Sequence, residues 1–331
     1  MSDTLPRLQR VERVGMSAMR RSLVAVSNPK PARGGTTTFL LGRELSPKEA
    51  DELDRASRVF TRMTVRSELK NLRDAARTLL EAETGLKGNY VARRGSVHHD
   101  ADQLHREFKR WLSAFRSFDV RSAHWVSRTF EGGGEALTNF RSTLSAEFDA
   151  NFGYRLCCAL RNASEHVGDV MNAIRVSSWS VHPGEDSRYE FEFGLIPSLL
   201  VPELTSVNKK TRTEMSTCNV ALDVDKIVGA VSMSCERAFA GLVLDLRPLL
   251  EPLVRFTEDL ESEARLRGGD IAVVVDTDEF EALPRGTGNL TVRVNPAHLA
   301  DIVRVNFEEA RVILNRPVTV VAADDLATPR Q

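Results

Sequence analysis

Tyr154-Arg155-Leu156-Cys157-Cys158-Ala159-Leu160-Arg161-Asn162-Ala163-Ser164-Glu165-His166-Val167-Gly168 is the stretch on which the reading of this chain turns. Its leucines continue an apolar series, Leu137, Phe140, Leu144, Phe148, Phe152, Leu156 and Leu160, spaced by threes and fours. That period is helical, so a long helix should deliver the polar residues Arg161 to His166 at its end. Arg161 supplies a cation suited to a phosphate, Asn162 an amide that orients, and His166 a group that moves protons near neutral pH.

Working upstream, the chain carries two more helical series. Ser46-Pro47-Lys48-Glu49 opens the first: a serine cap, proline at the first helical position and a glutamate completing a capping box. Leu53, Ala56, Phe60, Met63, Leu69, Leu72, Ala76, Leu79 and Leu80 then run to Gly85, with room for a bend. After a loop from Gly88 to Gly95, a second series begins near His98, carries Leu104, Phe108, Trp111, Leu112, Phe115, Phe118, Val120 and Trp125, and stops at Gly132-Gly133-Gly134. Ahead of all this, Asn28-Pro29 and Gly34-Gly35 break the chain, and Thr36 to Leu41 reads as a short strand closed by Gly42.

Downstream the character changes. Ile174 to Val181 and Tyr189 to Phe193 alternate around Pro183-Gly184-Glu185-Asp186, a β-hairpin pattern. Ile196 to Leu204 reads as extended or as a short helix, and a last long helix spans about Asp223 to Arg267, bent or split by Pro248 and Pro252 and ended by Gly268-Gly269. Ile271 to Val275 and Leu290 to Val294 read as strands around Gly286-Thr287-Gly288, followed by a helix from Pro296 to Leu314 and a final strand from Val318 to Val321. The fold class expected is therefore mainly α with an inserted β-hairpin and a small C-terminal α+β appendage. The expected division is 1–43 as a lead-in with a short strand, 44–268 as a helical domain with its hairpin near 174–194, and 269–331 as the appendage.

Composition excludes some classes. With 45 basic and 46 acidic residues the net charge is −1, which argues against attachment to nucleic acid by bulk charge but leaves room for a local basic site. No uninterrupted apolar run reaches the roughly 18 residues of a membrane span, and the N-terminus has early arginines without an apolar signal core. Cys157, Cys158, Cys218 and Cys235 show neither C-x-x-C pairing nor disulfide density, and the chain is expected to be cytoplasmic.

Spacing alone does not make a site, because Arg93 with His98 and Arg94 with His99 repeat the Arg161–His166 interval. Helix context, the adjacent Asn162 and the following Gly168 set Arg161 apart. On an α-helix, Asn162 and His166 lie about 40° apart, whereas Arg161 and His166 lie about 140° apart. Convergence on one phosphate therefore demands a break in the helix or a second copy of the chain.

The segment resembles the Arg-polar-x3-His motif of the HEPN superfamily, helical nucleotide-binding proteins that include many metal-independent ribonucleases. More narrowly it is similar to bacterial members with an aromatic helix, a Tyr-Arg-Phe lead and an Arg-Asn-Tyr-x-Gln-His motif. Here these are Trp111-Leu112-Ser113-Ala114-Phe115-Arg116-Ser117-Phe118, then Tyr154-Arg155-Leu156, then Arg161-Asn162-Ala163-Ser164-Glu165-His166. The likeness covers roughly residues 45–180, and Ala163 and Glu165 replace the tyrosine and glutamine. It implies an HEPN-like helical bundle and an endoribonuclease needing no metal and no cofactor. RNA would be cut by its own 2′-hydroxyl, with Arg161 on the scissile phosphate, Asn162 orienting and His166 transferring the proton. It further implies a homodimer whose two chains complete one cleft, a role as a toxin in stress response or phage defence, and room for an antitoxin or other regulatory protein.

Other readings stay open. A catalytically silent HEPN-like module would bind RNA or a protein without cutting. Arg161 and Glu165, four residues apart, can form a surface ion pair, with His166 as a helix-terminal cation. His98, Asp102 and His105 share one helical face and have the donor types of a divalent-metal site. His182 with Glu185 and Asp186, His124 beside Trp125, and the basic turn Lys209-Lys210-Thr211-Arg212 are weaker.

Overall fold

The apolar series fold largely as their spacing requires, and the side chains of Ser46, Ser67 and Asn208 satisfy backbone groups that helix ends leave open. The structure, a computed structural model, describes residues 20–27, 38–63, 67–92, 97–130, 133–163, 171–179, 188–204, 207–282, 292–317 and 320–327. It is mainly helical with two small antiparallel sheets. It divides into two units, residues 1–60 with 251–303 and residues 61–250 with 304–331.

In chain order, strands β1 (Arg21–Ser27) and β2 (Thr38–Glu44) precede helices α1 (Pro47–Met63), α2 (Glu68–Val91) and α3 (Val97–Thr129). The serine box at α1 forms: Ser46 N–H donates to Glu49 Oε2 at 2.9 Å, and Glu49 N–H donates to Ser46 Oγ at 3.3 Å. Ser67 caps α2, accepting from Lys70 N–H at 3.0 Å. Helix α2 runs on through Gly85 and Gly88 to Val91, past the stop the sequence suggested. Packing against α3 supplies what the glycines cost in propensity.

Next come α4 (Gly134–Ala150), α5 (Phe152–Ala163), β3 (Ala173–Trp179), β4 (Arg188–Leu195), the short α6 (Pro197–Leu200), a 3₁₀ turn over Val201–Glu203, and α7 (Lys209–Thr217). The expected single helix from Leu137 onward is thus two, broken at Asn151. The hairpin forms with Ala173 opposite Gly194 and Ile174 opposite Phe193, while its Pro183–Asp186 turn lies outside the described residues. The basic run Lys209 to Arg212 is the first turn of α7, capped by Asn208.

The rest is β5 (Leu222–Asp223), α8 (Val224–Asp245), α9 (Arg247–Leu266), β6 (Ile271–Asp276), α10 (Thr277–Glu281), β7 (Val292–Val294), α11 (Pro296–Leu314) and α12 (Ala323–Leu326). The prolines split the long helix at Leu246: Pro248 sits in the first turn of α9, where its missing N–H costs nothing. Gly268, at φ +84°, ends α9. Of the expected final strand, Val321 makes one isolated bridge to Asn151, and residues 318 and 319 lie outside the described residues.

The first unit holds the sheet β2-β1-β6-β7. The sequence treated the two chain ends separately, yet β1 pairs antiparallel with β6 from Arg21–Asp276 to Val26–Ile271. Both are central strands. Val24, Val26, Val273 and Val275 form one buried face, and Leu23, Ala25, Ala272 and Val274 are buried on the other. Two-sided burial explains an unbroken apolar run, Leu23 to Val26, that alternation could not flag. Gly42 lies inside β2 and does not close it: between the pairs Leu23–Arg43 and Ala25–Leu40 the strand carries an extra residue, a β-bulge. A Cβ on Gly42 would fall 1.4 Å from the Leu23 carbonyl oxygen, so only glycine fits there. Arg43 joins this edge to two helices, donating to Glu49 on α1 at 2.6 Å and to Glu263 on α9 at 2.9 Å. Arg43 accordingly holds the Glu49 carboxyl down at about 2.

In the second unit α8 is the central helix, packing on α2, α4 and α5 and on strands β4 and β5. A buried polar cluster fixes its phase. Arg237 donates to Glu147 on α4 through Nε at 2.6 Å and Nη2 at 2.8 Å, and Ser234 Oγ donates to the same carboxylate at 2.6 Å. Asn151 adds its amide, donating to Ser234 Oγ at 3.1 Å and accepting from Tyr154 N–H at 3.2 Å. Burial pushes the Glu147 carboxyl up, but Arg237 and Ser234 together hold it below its ordinary value. Its contribution to stability is thus complete at neutral pH and is lost as pH falls below about 4.

Arg237→Met should therefore cost about 3–5 kcal/mol at pH 7, because it strands a buried carboxylate, and Glu147→Gln added to it should restore part of that. Denaturant unfolding of the single and double variants measures both; additive losses would mean that the pair is not coupled.

Candidate functional site

Arg155 and Arg161 are both on α5, six residues and so about 120° apart round the helix. The two faces have different work. Arg155 is buried: it donates to Glu214 on α7 at 2.8 and 2.9 Å, and its Nη1 donates to the carbonyls of Phe148 and Asp149, both at 2.8 Å. It thereby closes the C-terminal turn of α4, whose last carbonyls have no helical partner. Its charge is spent on structure.

Arg161 faces α3 instead. Along that helix Phe108, Trp111, Phe115 and Phe118 are buried at intervals of three and four. Phe108 stacks with Trp111 at 5.8 Å between centroids, and Trp111 with Phe115 at 6.1 Å. Tyr154 meets Phe115 edge-on at 5.1 Å. The guanidinium carbon of Arg161, half-buried in the last described turn of α5, lies 5.5 Å from the Phe115 ring centroid, a cation–π contact. The guanidinium is thus partly withdrawn from water against the aromatic row.

Near it lie Tyr154, Cys157 and Cys158. Burial pushes the Cys158 thiol up to about 11, Arg161 pulling the other way and Asp119 adding a little. Burial likewise pushes Cys157 and Cys235 well above the ordinary thiol value and raises Cys218. These four thiols are therefore protonated at neutral pH and offer no thiolate nucleophile. Tyr154 is raised too, chiefly by burial. Its hydroxyl stays neutral.

Of the three residues singled out by sequence, Arg161 has a described side chain. Asn162 is placed as the next residue of α5, its side chain outside the description, and His166 falls within residues 164–170, which lie outside the described residues. The chain resumes at Met171 and is a strand from Ala173. The spacing of the α3 aromatics is the sequence signal for Phe115, whereas nothing local in the sequence signals the buried role of Arg155.

The other candidates fare unevenly. On α3, Asp102 is exposed and His105 half-buried, and the side chain of His98 lies outside the described residues. Among the described residues, no group of three or more His, Cys, Asp or Glu side chains is placed to hold a metal ion. His124 is exposed on α3. His182, Glu185, Asp186 and the Gly286–Gly288 turn lie outside the described residues. In the basic run, Lys210 approaches Asp149 at 3.9 Å and Arg212 donates to the Leu204 carbonyl at 2.7 Å.

No protein-family model matches the chain, and no curated protein or solved structure matches it.

A double-mutant cycle tests the aromatic seat: Phe115→Leu, Arg161→Met and their combination should show a coupling of about 0.5–1 kcal/mol in denaturant unfolding. Coupling within error of zero would mean that the ring does not hold the guanidinium.

Proposed function

We propose that the chain is an HEPN-type endoribonuclease built on a helical bundle, cutting RNA without a metal in a site completed by two copies of the chain. The observation that carries this reading is the seating of Arg161: a half-buried cation on an aromatic row, next to Asn162 and four residues ahead of the position before His166. Arg155, six residues earlier, is engaged by Glu214 and by the end of α4, so it is not the arginine assigned to the phosphate.

The chemistry proposed is an internal transesterification. The RNA 2′-hydroxyl loses its proton and attacks the adjacent phosphorus; the bond from phosphorus to the 5′-oxygen breaks, and that oxygen takes a proton. The products are a 2′,3′-cyclic phosphate and a 5′-hydroxyl. One group must accept a proton and another donate one, and charge builds on the phosphorane oxygens between. Each chain offers one His166, so a two-fold pair supplies both proton carriers, with Arg161 on the phosphate and Asn162 orienting. The same pairing answers the 140° separation of Arg161 and His166 on an unbroken helix. A toxin acting in stress response or phage defence, with an antitoxin as its regulator, is the setting that the family likeness suggests.

The replacement of the motif's tyrosine and glutamine by Ala163 and Glu165 favours a second reading, a silent HEPN-like module that binds RNA or protein. An acidic side chain beside His166 weighs against binding a polyanion tightly enough to cut it.

Purified protein incubated with single-stranded RNA in EDTA separates the two. Cleavage leaving 2′,3′-cyclic phosphate ends should fall about 10²–10⁴-fold in His166→Ala and about 10²–10³-fold in Arg161→Ala. Equal cleavage by wild type and His166→Ala would remove His166 as the proton carrier, and RNA retention without cleavage would favour the silent module.

A further inference from the structure

Away from Arg161, α2 and the first turn of α8 bring carboxyl groups together with too few donors. Glu83 on α2 is 6% exposed. Lys87, one turn on, pairs with Glu83 Oε1, and its ammonium lies 5.4 Å from the centroid of the Phe193 ring on β4. Tyr90 meets Phe191 of the same strand edge-on at 5.5 Å. From the other side, the Asp225 carboxyl comes within hydrogen-bonding reach of Glu83, yet its Oδ1 is buried and accepts no hydrogen bond from the described residues. Asp223, on β5, spends its carboxylate on the helix start, accepting from Asp225 N–H at 2.8 Å and Lys226 N–H at 3.3 Å. Among the described residues, the charged groups facing Asp225 are Glu83 and Lys87 from α2 and Asp223 from β5.

Two ionised carboxylates are acceptors only, so they cannot hydrogen-bond to each other, and Lys87 balances only one of them. A single proton between Glu83 and Asp225 lets one carboxyl donate to the other and removes the uncompensated charge. We propose that Glu83 and Asp225 share one proton and form a pH-dependent latch, which holds α2 to α8 beside the hairpin strand β4 and loosens when the proton leaves.

Burial first, and then the hydrogen bond and charge of Glu83, push the Asp225 carboxyl up to about 7, with Lys87 opposing. The N-terminal dipole of α8 favours the ionised form, and burial with Glu83 outweighs it. In the unfolded chain an aspartate titrates near 3.9. A folded value above the unfolded one means that the folded state keeps a proton the unfolded chain has released. The latch's stabilisation is complete below about pH 4 and is lost progressively as pH rises to about 7. This runs opposite to Glu147 and Glu49, whose lowered values favour the folded state at higher pH. Phe193 pairs with Ile174 of β3, so the latch lies beside the hairpin. The latch does not rest on the ribonuclease reading.

The test uses the full chain. In a ¹³C titration of side-chain carboxyls from pH 4 to 8.5, one aspartate resonance should titrate near 7 and be missing from Asp225→Asn. The asparagine amide donates to Glu83 without titrating. Between pH 5 and 7 the unfolding equilibrium constant of wild type should therefore rise relative to that of the variant by roughly tenfold or more. If every aspartate in wild type titrates below pH 5, or if the two unfolding profiles run parallel, the latch is overturned. Should Asp225→Asn not fold, the wild-type titration alone decides, with Glu83→Gln expected to move the resonance from near 7 to the ordinary range.

Discussion

The buried ion pair of Glu147 and Arg237 is the constraint from which the second unit follows. Removing two charges from water costs several kcal/mol each, and the cost is offset only if nearly every lone pair and proton finds a partner. Ser234 and the bidentate guanidinium meet that demand at the carboxylate. Asn151 then extends the cluster to the backbone of Tyr154, so one polar group fixes α4, the phase of α8 and the point where α5 begins. A uniform apolar interface would have held the helices together without fixing their rotation.

That break is what gives α5 its two faces. Restarting the helix at Phe152 lets Arg155 turn back to close α4, and sends Arg161 toward the aromatic row of α3. A salt-bridged arginine and one resting on an aromatic ring thus come from one helix and differ in angle. The polar clusters of this unit also differ in sign with pH: Glu147 is stabilised as an anion by its arginine, while Asp225 faces another carboxyl and is stabilised as an acid. The difference is one of donors: Glu147 has a cation and a hydroxyl, Asp225 has a competing acceptor.

Elements with one buried face were legible from sequence. The serine box before α1, the hairpin of β3 and β4, the proline split between α8 and α9, and α11 from Pro296 to Leu314 all follow from local period, caps and breakers. Elements buried on both faces, or set by a distant partner, were not. Strand β1 has no alternation to read, the place of Gly42 inside its strand is set by a carbonyl on another strand, and the break at Asn151 depends on Ser234 and Val321.

The candidate site divides in the same way. Arg161, Asn162 and His166 stand out in the sequence because residue type, order and spacing are local properties. So are the helical class and the near-balanced charge. Which arginine of α5 is buried, which ring Arg161 rests on, and that Glu83 meets Asp225 were decided by the tertiary structure alone. Residues 142 positions apart in sequence carry no mutual period, and the energy of their contact exists only when packing excludes water and leaves each group to the partners that the fold supplies.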